Sequence, residues 1–303
     1  MAKSFINYPG GKYKLLPQLR EHFPNDYDRF VDLFAGSAVV STNLALESSD
    51  IFAYDINHYL IELLRYVHET DYDEIMHNIM NIIGEFGLSD TFQHGYDYYE
   101  ASSALGLADI NKQSYLNLRD TFNAQLDAGF INHEALYALV VFGFNNQLRF
   151  NKSGRFNNPV GKRDFNAKMR EKLHQFKQRV GELNIQFERS DFREIDVTIP
   201  NTFFYVDPPY LITTAVYNEN GGWTSTDERD LLVYLDRIHE SGNRFALSNV
   251  FSMKGRTNDI LLDWVARNED QYTVFHLNKS YSNSNYQTNE NGSATDEVLV
   301  VNY

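Results

Sequence analysis

Asp207-Pro208-Pro209-Tyr210 directly follows the apolar run at residues 202–206, so a carboxylate, a stiff turn and an aromatic ring meet at the end of a buried-looking strand. These residue types suit one task, making the exocyclic amine of a nucleobase reactive. An adenine amine is a poor nucleophile because its nitrogen lone pair is delocalised into the ring. A carboxylate and a main-chain carbonyl that each accept one N–H bond favour a pyramidal nitrogen and free that pair. Asp207 can supply the carboxylate and Pro208 the carbonyl. Consecutive prolines fix φ, and Tyr210 offers a ring face for the base. An ordinary strand-terminating turn uses the same residue types, so the neighbouring motifs have to decide.

The elements that would position this turn alternate along the chain. Residues 29–34 predict a strand, followed by a small-residue turn and an apolar helix over about 39–46. Residues 51–54 predict a second strand ending at Asp55, with a helix over about 58–68. Strand, turn, helix, strand is the opening of a doubly wound α/β sheet. From about 70 to 181 the alternation stops, and helical patterns appear near 72–86, 112–126, 133–144 and 165–181. Between the last two, residues 151–159 predict a hairpin. Strands then resume near 184–188, 202–206, 243–248, 271–277 and 297–303, with helices near 227–240 and 258–267. The Asn/Ser/Gly-rich stretch 281–295 predicts a long mobile loop.

Ligands of open α/β sheets sit beyond the carboxyl ends of the strands, and acidic residues recur at those ends here. Asp32 opens the turn Leu33-Phe34-Ala35-Gly36-Ser37-Ala38, whose small residues let backbone approach a ligand closely. Asp55 comes some twenty residues later, where a carboxylate can accept both hydroxyls of a ribose. Asp191 can accept a bond from an adenine amine while Phe192 packs on the ring. Singly, each acid suits a cap or a loop as well as a ligand; together they point to a nucleoside. Gly10-Gly11-Lys12 fails the P-loop pattern, because Ile6 stands six positions before Lys12 and Tyr13 follows it. A G-x-G-x-x-G dinucleotide fingerprint is absent after the first strand. An adenosine cofactor without phosphates fits better, and S-adenosylmethionine is the obvious one.

Composition narrows the setting. The 303-residue chain is 43% hydrophobic, which excludes global disorder, and no apolar run is long enough to span a membrane. Zero cysteines exclude disulfides and thiolate chemistry, and nine histidines show no paired ligand spacing. A cytoplasmic, metal-free protein without a leader segment is expected. The formal net charge of −14 argues against nonspecific coating of nucleic acid. Yet ten basic residues fall between Arg149 and Arg179, opposed only by Asp164 and Glu171. This island, with Lys152, Arg155, Lys162 and Arg163 in its Gly/Asn/Pro-rich part, is the footprint expected of phosphate contacts. A solvated helix face accounts equally for its second half, residues 168–179.

The ordered set of motifs resembles the DNA adenine methylase family of N6-adenine DNA methyltransferases over nearly the whole length. Tyr8-Pro9-Gly10-Gly11-Lys12 is similar to that family's (W/Y)-x-G-G-K segment, residues 32–38 to its F-x-G-x-G motif, and Asp55-Ile56-Asn57 to its D-x-N. Residues 144–161 are similar to its recognition hairpin and 296–303 to its closing strand. The resemblance implies a methyltransferase-type mixed sheet with an antiparallel last strand, plus a mostly helical insertion carrying a β-hairpin. Residues 1–69 and 182–303 would form the catalytic domain, and 70–181 the target-recognition insertion. Tyr8, Lys12, Asp55 and Asp207 would contact S-adenosylmethionine, with Gly10, Gly11, Asp32, the 34–38 turn and Ile56 close by. Phe144 and Asn145 would fill the gap left by a flipped adenine in double-stranded DNA. Arg149 would read a guanine, and Asn151 and Pro159 would lie against the DNA.

Departures fall mainly on base reading. Ala38 replaces the second glycine of F-x-G-x-G, Asn7 stands where GATC-reading members typically have lysine, and Asn146-Gln147 where they have Gly-Leu. A target that differs from GATC at one or more positions is therefore expected. A restriction endonuclease acting on the same site is a candidate partner, and monomeric action is expected. Rival readings are a cytosine-N4 or RNA methyltransferase, or a catalytically idle nucleic-acid-binding relative. Cytosine enzymes usually carry serine in place of Asp207, and intact Lys12, Asp55 and Asp207 speak against an idle relative.

Overall fold

The apolar run before Asp207 forms the strand Thr202–Val206, buried along its whole length, as a sequence hydrophobic on both faces requires. The computed structural model describes residues 1–213, 222–277 and 295–303. In chain order come α1 (Leu16–His22), β1 (Arg29–Asp32), α2 (Val39–Leu44), β2 (Asp50–Asp55), α3 (His58–Glu69), α4 (Tyr72–Phe86) and the short α5 (Thr91–His94). Then follow α6 (Ala108–Asp127), α7 (His133–Phe142), α8 (Ala167–Gly181), β3 (Ile185–Arg189), β4 (Thr202–Val206) and α9 (Ser225–Glu240). The described chain closes with β5 (Arg244–Met253), β6 (Arg256–Thr257), α10 (Asp259–Arg267), β7 (Thr273–Leu277) and β8 (Asp296–Val301). These elements form two compact units: Met1–Gly11 with Asn57–Leu183, and Lys12–Ile56 with Asn184–Tyr303.

The second unit is built on one sheet of order β3-β2-β1-β4-β5-β8-β7, with β6 paired to β5. The run from β3 to β5 is parallel, whereas β8 is antiparallel to both of its neighbours. Alternate strand residues face opposite sides. Val31, Phe204, Val206, Phe245 and Val300 pack with Leu231 and Leu235 of α9 and Trp264 of α10. On the other side, Phe203 meets the rings of Phe23, Tyr27 and Phe30, at 4.9, 5.3 and 5.7 Å between centroids. α9 starts at a capping box in which Thr224 and Asp227 satisfy each other's main-chain N–H groups.

The first unit is helical. α7 is buried from Ala135 to Phe142, as a helix apolar all round must be. α4 buries Ile75, Ile79 and Ile83, four residues apart on one face, and ends at Gly87, whose φ of 66° needs glycine's freedom. α8 buries Met169, Leu173, Phe176 and Val180 and is capped by the Asn166 side chain. The hairpin rises after α7 through antiparallel bridges Gly143–Val160 and Phe150–Phe156. At its base, Gly161 N–H donates to the Phe142 carbonyl at 2.7 Å and Phe144 N–H to that of Pro159 at 2.7 Å. Asn123 of α6 clamps Phe156 with two main-chain hydrogen bonds, 2.8 and 3.0 Å. Tyr59 of α3 stacks on Phe150 at 3.9 Å and donates to the Gly154 carbonyl at 3.3 Å.

The mixed sheet with its reversed last strand and the helical segment with a hairpin agree with the sequence expectations. The unit boundary falls at Asn57, earlier than the expected residue 70, and Met1–Gly11 joins the helical unit. The reason is that α3 buries Leu60, Ile61, Leu63, Leu64 and Val67 and packs on α7 and α8. α1 was not anticipated, and β5 runs five residues beyond the expected end at 248. The segment 281–295 lies, apart from Thr295, outside the described residues. No described helix is long and apolar enough to cross a membrane.

A Cβ at residue 161 would stand 2.5 Å from the Gly143 carbonyl oxygen and 3.1 Å from that of Phe142, both backbone atoms. Gly161→Ala is therefore expected to cost about 1–3 kcal/mol, seen as a lower urea midpoint. An unchanged midpoint would contradict so tight a crossing.

Candidate active site

Winding sets the site's place. From β1 the sheet grows one way to β2 and β3 and the other way to β4 and β5, so the switch point lies between β1 and β4, where open sheets leave a crevice. Asp32 is the last residue of β1 and Asp55 of β2, Asp207 follows β4, and Asp191 follows β3 by two residues. Four carboxylates thus stand at the carboxyl ends of four adjacent parallel strands. Sequence reasoning named all four.

At the turn after β4, Lys12 Nζ donates to both oxygens of Asp207, at 2.6 and 2.7 Å. Lys12 is 3% exposed, and Glu297 of β8, 1% exposed, places Oε1 3.9 Å from the same ammonium. The Tyr210 hydroxyl lies 3.2 Å from Asp207 Oδ1 and 3.3 Å from Glu297 Oε1, and the ammonium sits 5.0 Å from its ring centroid. Pro208 is buried and Pro209 half-buried. The Tyr210 carbonyl accepts from the main chain and hydroxyl of Thr213, which fixes the exit of the turn. One lysine thus orients a carboxylate whose remaining lone pairs can accept further N–H groups.

Across the switch point, the turn after β1 is tied down by Ala35 N–H to the Tyr54 carbonyl at 2.8 Å and by Gly36 N–H to Asp55 Oδ2 at 3.0 Å. Ala38 takes φ 56° at the start of α2, the conformation a second glycine would adopt without strain. Ser37 and Ala38 are buried. Asp32 accepts from the Ser41 hydroxyl at 2.6 Å, while its Oδ1 is buried without a partner among the described residues. Burial, together with the charges of Asp207 and Asp55, pushes its carboxyl up to about 7. Phe34 and Phe192 lie 5.6 Å apart, and Trp223 joins them at 5.6 and 6.0 Å. The indole donates to buried Glu228 at 2.5 Å.

The remaining predicted residues have surroundings of their own. Asp191 accepts from Arg193 through both oxygens, each at 3.1 Å, and Ile56 is 64% exposed. Tyr8, Gly10 and Gly11 belong to the helical unit, where Gly11 N–H donates to the Tyr8 carbonyl at 3.3 Å and Gly10 has φ 77°.

The residues expected to meet DNA gather on the hairpin of the helical unit. Phe144, 50% exposed, starts a turn in which Asn145 and Asn146 both take left-handed φ, 55° and 52°. Asn158 holds that turn through the Phe144 and Gln147 carbonyls at 3.0 and 3.1 Å. Asn151 shapes the tip by accepting from Ser153 and Arg155 N–H, and Arg149 is half-buried on the first strand. The basic island divides. Arg155 pairs with Asp127, Arg163 donates to Tyr96 and Ser103, Arg170 pairs with Asp90 and Lys177 caps the His68 carbonyl. Lys152, Lys162 and Lys168 are exposed.

Sequence reasoning gave no role to Glu297, Trp223, Tyr59 or Asn123. Glu297 had a signal, a charge inside an otherwise apolar closing strand, and Trp223 is one of only two tryptophans. Tyr59 and Asn123 act through distant partners and had none.

The family model for D12 class N6 adenine-specific DNA methyltransferases matches residues 8–277. The chain belongs to that family. It is 37% identical to type II methyltransferase M.FokI of Planomicrobium okeanokoites and 36% to modification methylase StsI of Streptococcus sanguinis, each over 99% of this chain and 43% of the relative. The chain thus spans less than half the length of these two curated relatives. It is also 28% identical to the DNA adenine methylase of Vibrio cholerae serotype O1, over 82% of this chain and 81% of the relative.

In this D12 class chain Asp32 should leave a pH signature. Its carboxyl has a higher pKa folded than unfolded, so the stability it contributes is complete below about pH 4 and is lost as pH rises through about 7. Urea unfolding should show the wild type losing stability relative to Asp32→Asn between pH 5 and 8. A constant difference across that range would remove the carboxyl from the buried state described.

Proposed function

We propose that the chain is a site-specific DNA adenine methyltransferase that moves a methyl group from S-adenosylmethionine to N6 of an adenine flipped out of double-stranded DNA. The observation that carries this reading is Asp207, held at the switch point by Lys12 and Tyr210 in a turn stiffened by two prolines. The sheet unit would be catalytic and the helical unit would recognise the target.

The residues fit the cofactor. Among the described residues, Asp32, Asp55, Asp207 and Glu297 bring four carboxylates to the strand ends, where Lys12 pairs with Asp207 and lies 3.9 Å from Glu297, an imbalance that favours a cationic ligand. Asp55 would take the ribose hydroxyls, Phe34 and Phe192 would flank the adenine ring, and Tyr8, Gly10, Gly11 and Lys12 would complete the set. When bound, the cofactor supplies a sulfonium methyl group open to in-line attack.

The chain's own residues then act on the amine. The target base has to leave the stack because its N6 is inaccessible inside it, and Phe144 with Asn145 would occupy the gap. Asp207 and the Pro208 carbonyl would each accept an N–H, turning the nitrogen lone pair toward the methyl carbon. In taking the methyl group the amine nitrogen would have to lose one proton, and the cofactor would leave as a neutral thioether that keeps the electrons of the broken bond. Asp207, as an acceptor of that N–H, would take the proton. Positioning and local electrostatics supply most of the acceleration. Arg149 would read a guanine edge, and Asn151, Lys152, Pro159, Lys162 and Arg163 would lie along the DNA. Two relatives are named as type II or modification methylases, which supports a restriction endonuclease of the same site as partner. Monomeric action in the cytoplasm belongs to the same proposal.

Tritium transfer from labelled cofactor to DNA, with the labelled base identified after hydrolysis, tests the reading. Label in N4-methylcytosine, or none at all, would reject it. Asp207→Asn should lower kcat about 100- to 1,000-fold at saturating cofactor while the protein stays folded; comparable activity would sink the mechanism. Asp55→Ala should weaken cofactor binding about ten- to a hundredfold and leave DNA affinity unchanged. A calorimetric titration identical to wild type would take Asp55 out of the site.

A further inference from the structure

The N-terminal segment and α8 bring a cluster together beside the Phe144 turn. Phe5 anchors the segment, packing on Phe176 of α8 at 4.8 Å and on Tyr137 of α7 at 5.4 Å. Two residues on, Asn7 uses both amide hydrogens and one acceptor site of its oxygen. Its Nδ2 donates to the Asn145 carbonyl at 3.3 Å and to Asn146 Oδ1 at 3.2 Å, and its Oδ1 accepts from Lys172 Nζ at 3.4 Å. An amide nitrogen has two hydrogens, so Asn7 keeps no second donor for a base. Asn146 is itself fixed through Nδ2 to the Val141 carbonyl at 2.6 Å.

Lys172 is different. Its stem is half-buried on α8, which limits its rotamers, and among the described residues its ammonium donates to Asn7 alone. Burial, helped by the positive charges of Lys168 one helical turn earlier and of Lys3, holds the ammonium below the usual lysine range. Two of its three donors thus remain available at the turn that presents Phe144.

We propose that Lys172, aimed by Asn7, is a specificity-determining residue that reads a guanine in the target, distinct from the guanine assigned to Arg149. Guanine offers O6 and N7 as adjacent acceptors in the major groove, and lysine pairs with both. A phosphate contact would be served as well by Lys168 or Lys162, which are exposed. A tethered, half-desolvated ammonium beside the turn suits a base edge, where placement carries information. The inference rests on the DNA methyltransferase reading.

The wild type is first assayed for tritium transfer to adenine, and failure there rejects the functional reading itself. Single-molecule sequencing of DNA from cells expressing wild type, Lys172→Gln and Lys172→Arg then maps the methylated sites. The expected result is a wild-type target with two required guanines. Lys172→Gln should lose discrimination at one of them, by about 5- to 150-fold in kcat/KM on oligonucleotides, and Lys172→Arg should restore it. Three outcomes would overturn the proposal. One is a wild-type target without a second required guanine. Another is a uniform rise in KM across sequences with the salt slope reduced by about one, the mark of a phosphate contact. The third is a variant with unchanged site preference and KM, the mark of a solvated helix face.

Discussion

Lys12 is an ammonium taken out of water, and the arrangement of the sheet unit around the switch point depends on keeping it paired. Its partners come from distant parts of the chain, Asp207 after β4 and Glu297 in β8. Removing one partner of a buried pair typically costs about 3–5 kcal/mol, because a charge is left uncompensated. The pair therefore fixes the D-P-P-Y turn relative to the closing strand and to the start of α1. It also sets the orientation of the Asp207 carboxylate, the group to which the proposed function assigns the amine. Structural and chemical demands fall on the same three side chains.

Among the other strand-end acids, Asp32 and Asp55 are buried. Desolvation raises the Asp32 carboxyl most, and repulsion from Asp207 and Asp55 adds to it. Such a cluster is costly until a cation arrives. The hairpin unit follows the opposite logic, with part of its positive charge spent internally. Arg155, Arg163, Arg170 and Lys177 hold loops and helix ends together, so the outward potential comes from fewer residues than a count along the chain gives.

The sheet was legible because each strand carries its own signal. The two-faced run at 202–206 and the acids at strand ends are local patterns that tertiary contacts do not overwrite. α4 was legible to the residue, since its buried isoleucines recur at helical spacing and Gly87 stops it. The unit boundary was less so, because nothing in α3 shows which neighbours will cover its apolar face. Base reading was the least legible. Asn7 suggested an altered base contact, but both its N–H groups are taken by the Asn145–Asn146 turn and its oxygen accepts from Lys172, a partner 165 residues away. Residue type gives hydrogen-bonding capacity; only the fold shows how much of it is already used.

The crossing of Gly143 and Gly161 separates two parts of the hairpin with different freedom to diverge. At the base, backbone touches backbone and no side chain fits. Towards the tip, the turn between Phe150 and Phe156 closes on its own hydrogen bonds and is braced by stacking on Tyr59. The main-chain hydrogen bonds of the base, between residues 142–144 and 159–161, involve no residue of the tip. Under the proposed function, related sequences could therefore differ in target through the tip while keeping the same glycine crossing.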